Sequence, residues 1–225
     1  MGPSNGDVDL LERWRCLLAP WGAKDDEIDG VGESVLRRWA EPHRRYHTTV
    51  HLREVLAAVD TLADLADDQV AVELAAWFHD AVYEPDAAAG VNEASSAKLA
   101  SSLLVALHVP RPTVGAVTQL ILSTATHEVD LNDRDCAVLT DADLWILGAS
   151  AERYRRYAAD VRVEFGFVDD EGWQSGRSAV LCGFVDRSRL FATDRAQAAF
   201  GARARDNLRW ELATLGGGEA EARIP

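Results

Sequence analysis

A histidine and an aspartate stand side by side in the apolar run Trp77-Phe78-His79-Asp80-Ala81-Val82-Tyr83. Neither side chain improves a core. Buried there, each must be paired, hydrogen-bonded or bound to a metal, because an isolated polar or charged group is costly to desolvate. Two other segments repeat the pattern. Upstream, His51 sits four residues before Val55 and eight before Val59, on their apolar stripe. Downstream, Asp143 shares a face with Leu139, Ile146 and Leu147. Asp141, the alternative last ligand, points elsewhere and suits a hydrogen bond to a ligand histidine. His51, His79, Asp80 and Asp143 are therefore the expected ligands of one divalent cation. Two imidazoles and two carboxylates without a thiolate suit Mn, Fe, Co, Ni, Mg or Zn, with positions left for water and substrate.

The order His…His-Asp…Asp on separate helices resembles the HD superfamily of metal-dependent phosphohydrolases. Four segments carry a closer likeness to the predicted metal-dependent HD phosphohydrolases, over about residues 8–215. They are Arg45-Tyr46-His47-Thr48-x-x-His51, Trp77-Phe78-His79-Asp80-x-Val82-Tyr83, Asn92-Glu93-x-x-Ser96-Ala97 and Asp141-Ala142-Asp143-Leu144-x-Ile146-Leu147-Gly148. The resemblance implies a hydrolase for a nucleotide or another small phosphorylated metabolite. Tyr46 to His51 also resembles the Tyr-His-Asn-x-x-His stretch of cyclic nucleotide phosphodiesterases. That likeness implies that His51 binds metal and His47 protonates the leaving oxygen, with Thr48 standing in place of the asparagine. The spacing agrees, since i and i+4 share a helix face. Glu93 and Glu84 are the carboxylates expected to guide the attacking water, Glu93 preferred. His127 is a candidate substrate contact or further metal ligand. Arg177 is the first candidate for a phosphate contact, ahead of Arg162, because a guanidinium matches phosphate bidentately. The rival readings are an HD-type di-iron oxygenase, which needs further ligands such as His127, and a non-catalytic nucleotide-binding module.

Composition narrows the partners. The 225 residues carry a net charge of −14, which disfavours binding a nucleic acid polymer through its phosphates. The stretch Ala151 to Arg209 is the exception, with 11 arginines against 9 acids, mostly the pattern of solvated helix faces. Cys16, Cys136 and Cys182 are widely spaced and form no CxxC, which suits free thiols in a reducing compartment. No signal peptide or membrane-length apolar run is evident, so a cytoplasmic protein without membrane contact is expected. Nothing in the sequence specifies an oligomeric state.

The elements that must hold these residues read as helices throughout. Apolar residues recur at helical spacing from Leu10 to Leu18, ended by Pro20, and again over Ile28–Trp39, Val50–Leu65 and Val72–Val82. Asn92 is the expected N-cap of a helix to Leu107, and Pro110 and Pro112 open the next. His127 to Asp133 reads as a turn. Further helices are expected over Cys136–Leu147, Ala151–Phe165, Trp173–Val185 and Arg195–Leu215. With short connections and no alternating pattern, an all-α bundle of nine to ten helices over residues 8–215 follows. Residues 1–7 and 216–225 are expected to be disordered and flexible, respectively. An alternative boundary lies near Gly148.

Overall fold

A computed structural model describes the backbone of residues 5–130 and 132–217. Among these residues the chain is all-α, with ten helices. They are α1 (Asn5–Leu18), α2 (Asp25–Trp39), α3 (Thr49–Leu62), α4 (Gln69–Phe78), α5 (Val91–Ala106), α6 (Arg111–Ser123), α7 (Arg134–Asp143), α8 (Ala151–Glu164), α9 (Asp170–Val185) and α10 (Asp194–Leu215). None of the described helices is long and apolar enough to cross a membrane. The chain divides into two compact units, one through Asp143 and one from Leu144. The division falls close to the alternative boundary at Gly148 and cuts the expected domain 8–215 into two units. A 3-10 turn at Leu144–Gly148 ends what the sequence presents as one helix over Cys136–Leu147. Of the expected disordered start, residues 1–4 lie outside the described residues. The backbone of 5–7 already belongs to α1, because no proline interrupts helical bonding between Pro3 and Pro20. Of the expected flexible tail, Gly216 and Gly217 form a turn, and 218–225 lie outside the described residues.

In the first unit, α4 is the central element and packs against α3, α5, α6 and α7. Its run Leu74 to Phe78 is buried on every side, which explains an apolar sequence without a polar face. Asp68 caps its start by accepting from Ala71 N–H at 2.9 Å. Asp135, at the head of α7, accepts from the backbone N–H groups of Asp67 and Asp68 and registers the two helices.

Helices α1 and α2 pack as a pair around Trp14, which is fully buried. Its ring meets Trp77 and Phe78 edge-on, and its Nε1 donates to Ile28 O at 2.8 Å. Gly32 on α2 makes this approach feasible. A methyl there would stand 2.5 Å from Trp14 Cδ1 and 3.1 Å from Leu11 Cδ2. Gly32→Ala is therefore expected to destabilise by ~1–3 kcal/mol from overpacking, against a helix-propensity gain of about 1 kcal/mol. Urea denaturation checks the sign. A stabilised variant would show that Trp14 can move aside.

The second unit is built from α8, α9 and α10 with the Leu144–Gly148 turn. Asn207 on α10 donates to Leu147 O and Ala149 O, and Arg203 donates to Gly148 O, so the turn's free carbonyls are taken. A buried polar set joins the three helices. Glu211 accepts from Tyr154 Oη at 2.6 Å and from Arg177 Nε at 2.8 Å, and Arg177 also donates to Tyr157 Oη at 3.0 Å.

Candidate metal centre

Three helix termini of the first unit bring the candidate ligands together. At the start of α3, Thr48 is the N-cap, and its hydroxyl accepts from Val50 N–H. That fixes the first turn and points His51 inward. At the other junction, α4 stops at Phe78, one residue before the His-Asp pair. His79 keeps helical torsions and its N–H bonds Ala75 O, whereas Asp80 lies in the turn that follows. The sequence had the helix continuing to Val82. Beyond His79 the helical ladder is abandoned: Ala81 N–H tightens onto Phe78 O, Val82 N–H donates to Ser96 Oγ, and Arg44 takes the carbonyls of Asp80 and Ala81. Asp143 is the last residue of α7.

The four side chains converge. His51 Nε2 and His79 Nε2 face each other at 3.3 Å. Asp80 Oδ2 is 3.3 Å from His79 Nε2 and 3.8 Å from His51 Nε2. Asp143 Oδ1 is 3.2 Å from His51 Nε2 and 3.5 Å from His79 Nε2. His51, His79 and Asp80 form the tightest group, with donor atoms all within 4.8 Å of one another. Asp143 joins through the two imidazoles. Of the alternatives for the last ligand, it is Asp143 whose carboxylate meets both histidines; Asp141 is buried on the same helix.

This arrangement fits a divalent cation. Bonds of ~2.0–2.2 Å place neighbouring donors about 3.0–3.5 Å apart, close to the separations found here. His79 Nδ1 lies 2.9 Å from Ala76 O, so it carries the hydrogen and leaves Nε2 to the cluster. Burial lowers the pKa of His51 against the pull of Asp143. Burial also opposes a charge on His79, but Asp80 and Asp143 overcome it and hold its pKa well above the ordinary value. The carboxyls of Asp80 and Asp143 would rise on burial, and His79 reverses this and keeps both low. The side chains thus draw positive charge between two carboxylates, the same demand that a cation meets.

The cluster has a closed floor and an open mouth. His79 and His51 are 1% and 3% exposed, whereas Asp143, Asp80, His47 and His127 are 13%, 17%, 19% and 24% exposed. His47 Nε2 lies 3.9 Å from Asp80 Oδ2, and its ring stacks on Tyr83 with centroids 4.1 Å apart. It reaches this place from the loop before α3, not from a shared helix face, because α3 begins only at Thr49. His127 Nε2 is 2.9 Å from Asp143 Oδ2, the oxygen turned away from the imidazole pair. His127 holds a left-handed backbone at φ 50°, uncommon for a residue with a Cβ. A carboxylate fixed by such a partner binds metal better by ~10–100-fold. His127→Asn, which tolerates this backbone but shortens the side chain, is expected to weaken Co2+ binding by about that factor. Calorimetric titration measures it, and unchanged affinity would leave His127 with no part in orienting Asp143.

The remaining candidates are less closely gathered. Glu93 lies in the first turn of α5, and its Oε2 is buried without a hydrogen-bond partner. The Glu84 side chain is exposed, and its backbone is tied to Asn92, whose amide accepts from Glu84 N–H and donates to Glu84 O. Asn92 is therefore a loop clamp; the N-cap position of α5 belongs to Gly90. Arg177 belongs to the second unit, where Glu211 and Tyr157 occupy its guanidinium. Sequence reasoning missed Arg44, Trp39 and Tyr83. Trp39 lies against both ligand imidazoles, with ring centroids 6.1 Å from His51 and 5.4 Å from His79. For Arg44, the one available signal was Glu41 three residues before it. Neither the family models nor the curated proteins compared with this chain give a match.

Proposed function

We propose that this protein is a metal-dependent phosphohydrolase acting on a phosphate ester of a nucleotide or another small phosphorylated metabolite. The observation that carries the proposal is the meeting of His51 Nε2, His79 Nε2, Asp80 Oδ2 and Asp143 Oδ1 at 3.2–3.8 Å, closed below and open at the carboxylate side. These four residues would hold one divalent ion from the group Mn, Fe, Co, Ni, Mg and Zn. Such an ion polarises a phosphoryl oxygen and lowers the pKa of water. The chain's own residues supply the rest. His47, beside Asp80 and steadied by Tyr83, donates a proton to the leaving oxygen. Glu93 is favoured over Glu84 to orient the attacking water, because a buried acceptor without a donor is one that water can satisfy. His127 holds Asp143 in register. The net charge of −14 favours a small substrate over a polyanion.

Elemental analysis followed by a phosphatase and phosphodiesterase panel with Mn, Co, Ni and Mg tests this reading. One divalent ion per chain and turnover with at least one substrate are expected. Absence of bound metal, or no turnover with any ion, would sink it. The contact of His127 with Asp143 Oδ2 supports one second reading, an HD-type di-iron oxygenase, since it offers a further nitrogen beside the first site. Two irons per chain with oxygen uptake would establish that alternative. Nucleotide binding without turnover would instead favour a non-catalytic module.

A further inference from the structure

We infer that Arg44 is a positioning residue that locks the loop carrying His47 to the turn carrying Asp80. Its side chain is wholly buried, and all five of its N–H donors are used. Nη1 donates to His47 O at 3.1 Å and to Asp80 O at 2.8 Å. Nη2 donates to Ala81 O at 3.3 Å and to Glu41 Oε2 at 3.0 Å, and Nε donates to the same carboxylate oxygen at 3.2 Å. The guanidinium lies over two aromatic rings, Trp39 at 5.5 Å and Tyr83 at 5.4 Å. Those rings touch the site in turn: Trp39 lies against His79, and Tyr83 stacks on His47. His43 adds a second tie between the same two segments, with Nε2 2.9 Å from Tyr83 O.

A buried arginine is a poor source of stability, because desolvation offsets most of what its partner returns. What this one provides is geometry. Its three carbonyl partners come from two segments 33 or more residues apart in the chain. One rigid fork sets the distance between them, and hence between the His47 imidazole and the Asp80 carboxylate. Lysine keeps the charge but carries its three donors on one nitrogen and cannot span both segments. Glu41 anchors the fork from outside.

The inference rests on the proposed metal site for one of its two measurements only. The first uses metal-free, full-length protein labelled with 15N-histidine. Imidazole correlation spectra of Arg44→Lys are expected to show His47 and His79 shifted and His108, at the far end of α5, unmoved. The second follows Co2+ binding by its visible absorption. Arg44→Lys is expected to bind at least ~10-fold more weakly, with an altered band shape, as for loss of a residue that orients ligands. If Arg44→Lys does not fold, Glu41→Gln keeps the three carbonyl bonds and weakens the anchor. It should then move the same signals by less. Unshifted His47 and His79 signals in the folded variant overturn the inference. If the unaltered protein binds no cobalt, the metal reading fails, and the imidazole spectra still decide the role of Arg44.

Discussion

Replacing His79 by alanine is expected to abolish metal retention and, with it, all hydrolytic turnover. His79 is the most buried of the four ligands, and its Nε2 lies within 3.5 Å of the other three. Its Nδ1 is fixed on Ala76 O, which aims Nε2 into the cluster. Loss of residues that merely orient ligands costs ~10–100-fold in affinity; loss of a ligand itself should exceed about 100-fold. The substitution also removes the imidazole that does most to hold Asp80 and Asp143 low. Breaking a buried charge set by deleting one partner costs ~3–5 kcal/mol, so a lower melting temperature is expected even in chelator. Elemental analysis, activity and thermal unfolding of the same preparation read the three effects. A variant with full metal content and unchanged turnover would remove His79 from the site.

Trp39→Ala is expected to cause a large loss of stability in the first unit, and to loosen the centre as well. The side chain is fully buried and its Nε1 donates to Trp77 O at 3.1 Å. Truncating a buried tryptophan costs ~3–5 kcal/mol through lost contacts and the cavity left behind. Here the cavity would open beneath His51 and His79 and beside Arg44, so Co2+ affinity should fall in parallel. Trp39→Phe separates the two effects. It keeps most of the ring and loses only the donor to Trp77 O, costing ~1–3 kcal/mol for a buried carbonyl left unpaired. Urea unfolding and cobalt titration of both variants give the comparison. A loss under ~1 kcal/mol for the alanine variant would mean that the site collapses around the gap.

The convergence of the four candidate ligands was legible because each is a polar residue on an apolar stripe, a local contradiction that only a partner can resolve. His51 and Asp143 were found from their own helices, with no knowledge of each other. The helix limits were less legible. Periodicity carries α4 to Val82, but partners distant in sequence halt it at Phe78: Ser96 takes the Val82 N–H, and Arg44 holds the carbonyls of the turn that follows. Arg44 itself sits in a loop of charged residues, where an arginine reads as solvated. Its burial depends on two aromatic rings that flank it in space. Arg177 was read as available for the opposite reason. In Ser175-Gly176-Arg177 it looks available, but its partner Glu211 lies 34 residues on, beyond the reach of any local pattern. His47 was proposed from a helix spacing that the fold does not use, yet the loop delivers its imidazole beside Asp80.

The end of α4 at Phe78 has a consequence for ion selectivity. His79 is indexed to the stiff helix by its bond to Ala75, whereas Asp80 stands one residue beyond, on a strap tied down by Arg44. In the proposed metal site, adjustment to cations of unequal radius should come from Asp80 more than from His79, within the play that Arg44 leaves the strap. Tolerance among the divalent metals should therefore be tuned by the strap, while the histidines stay constant.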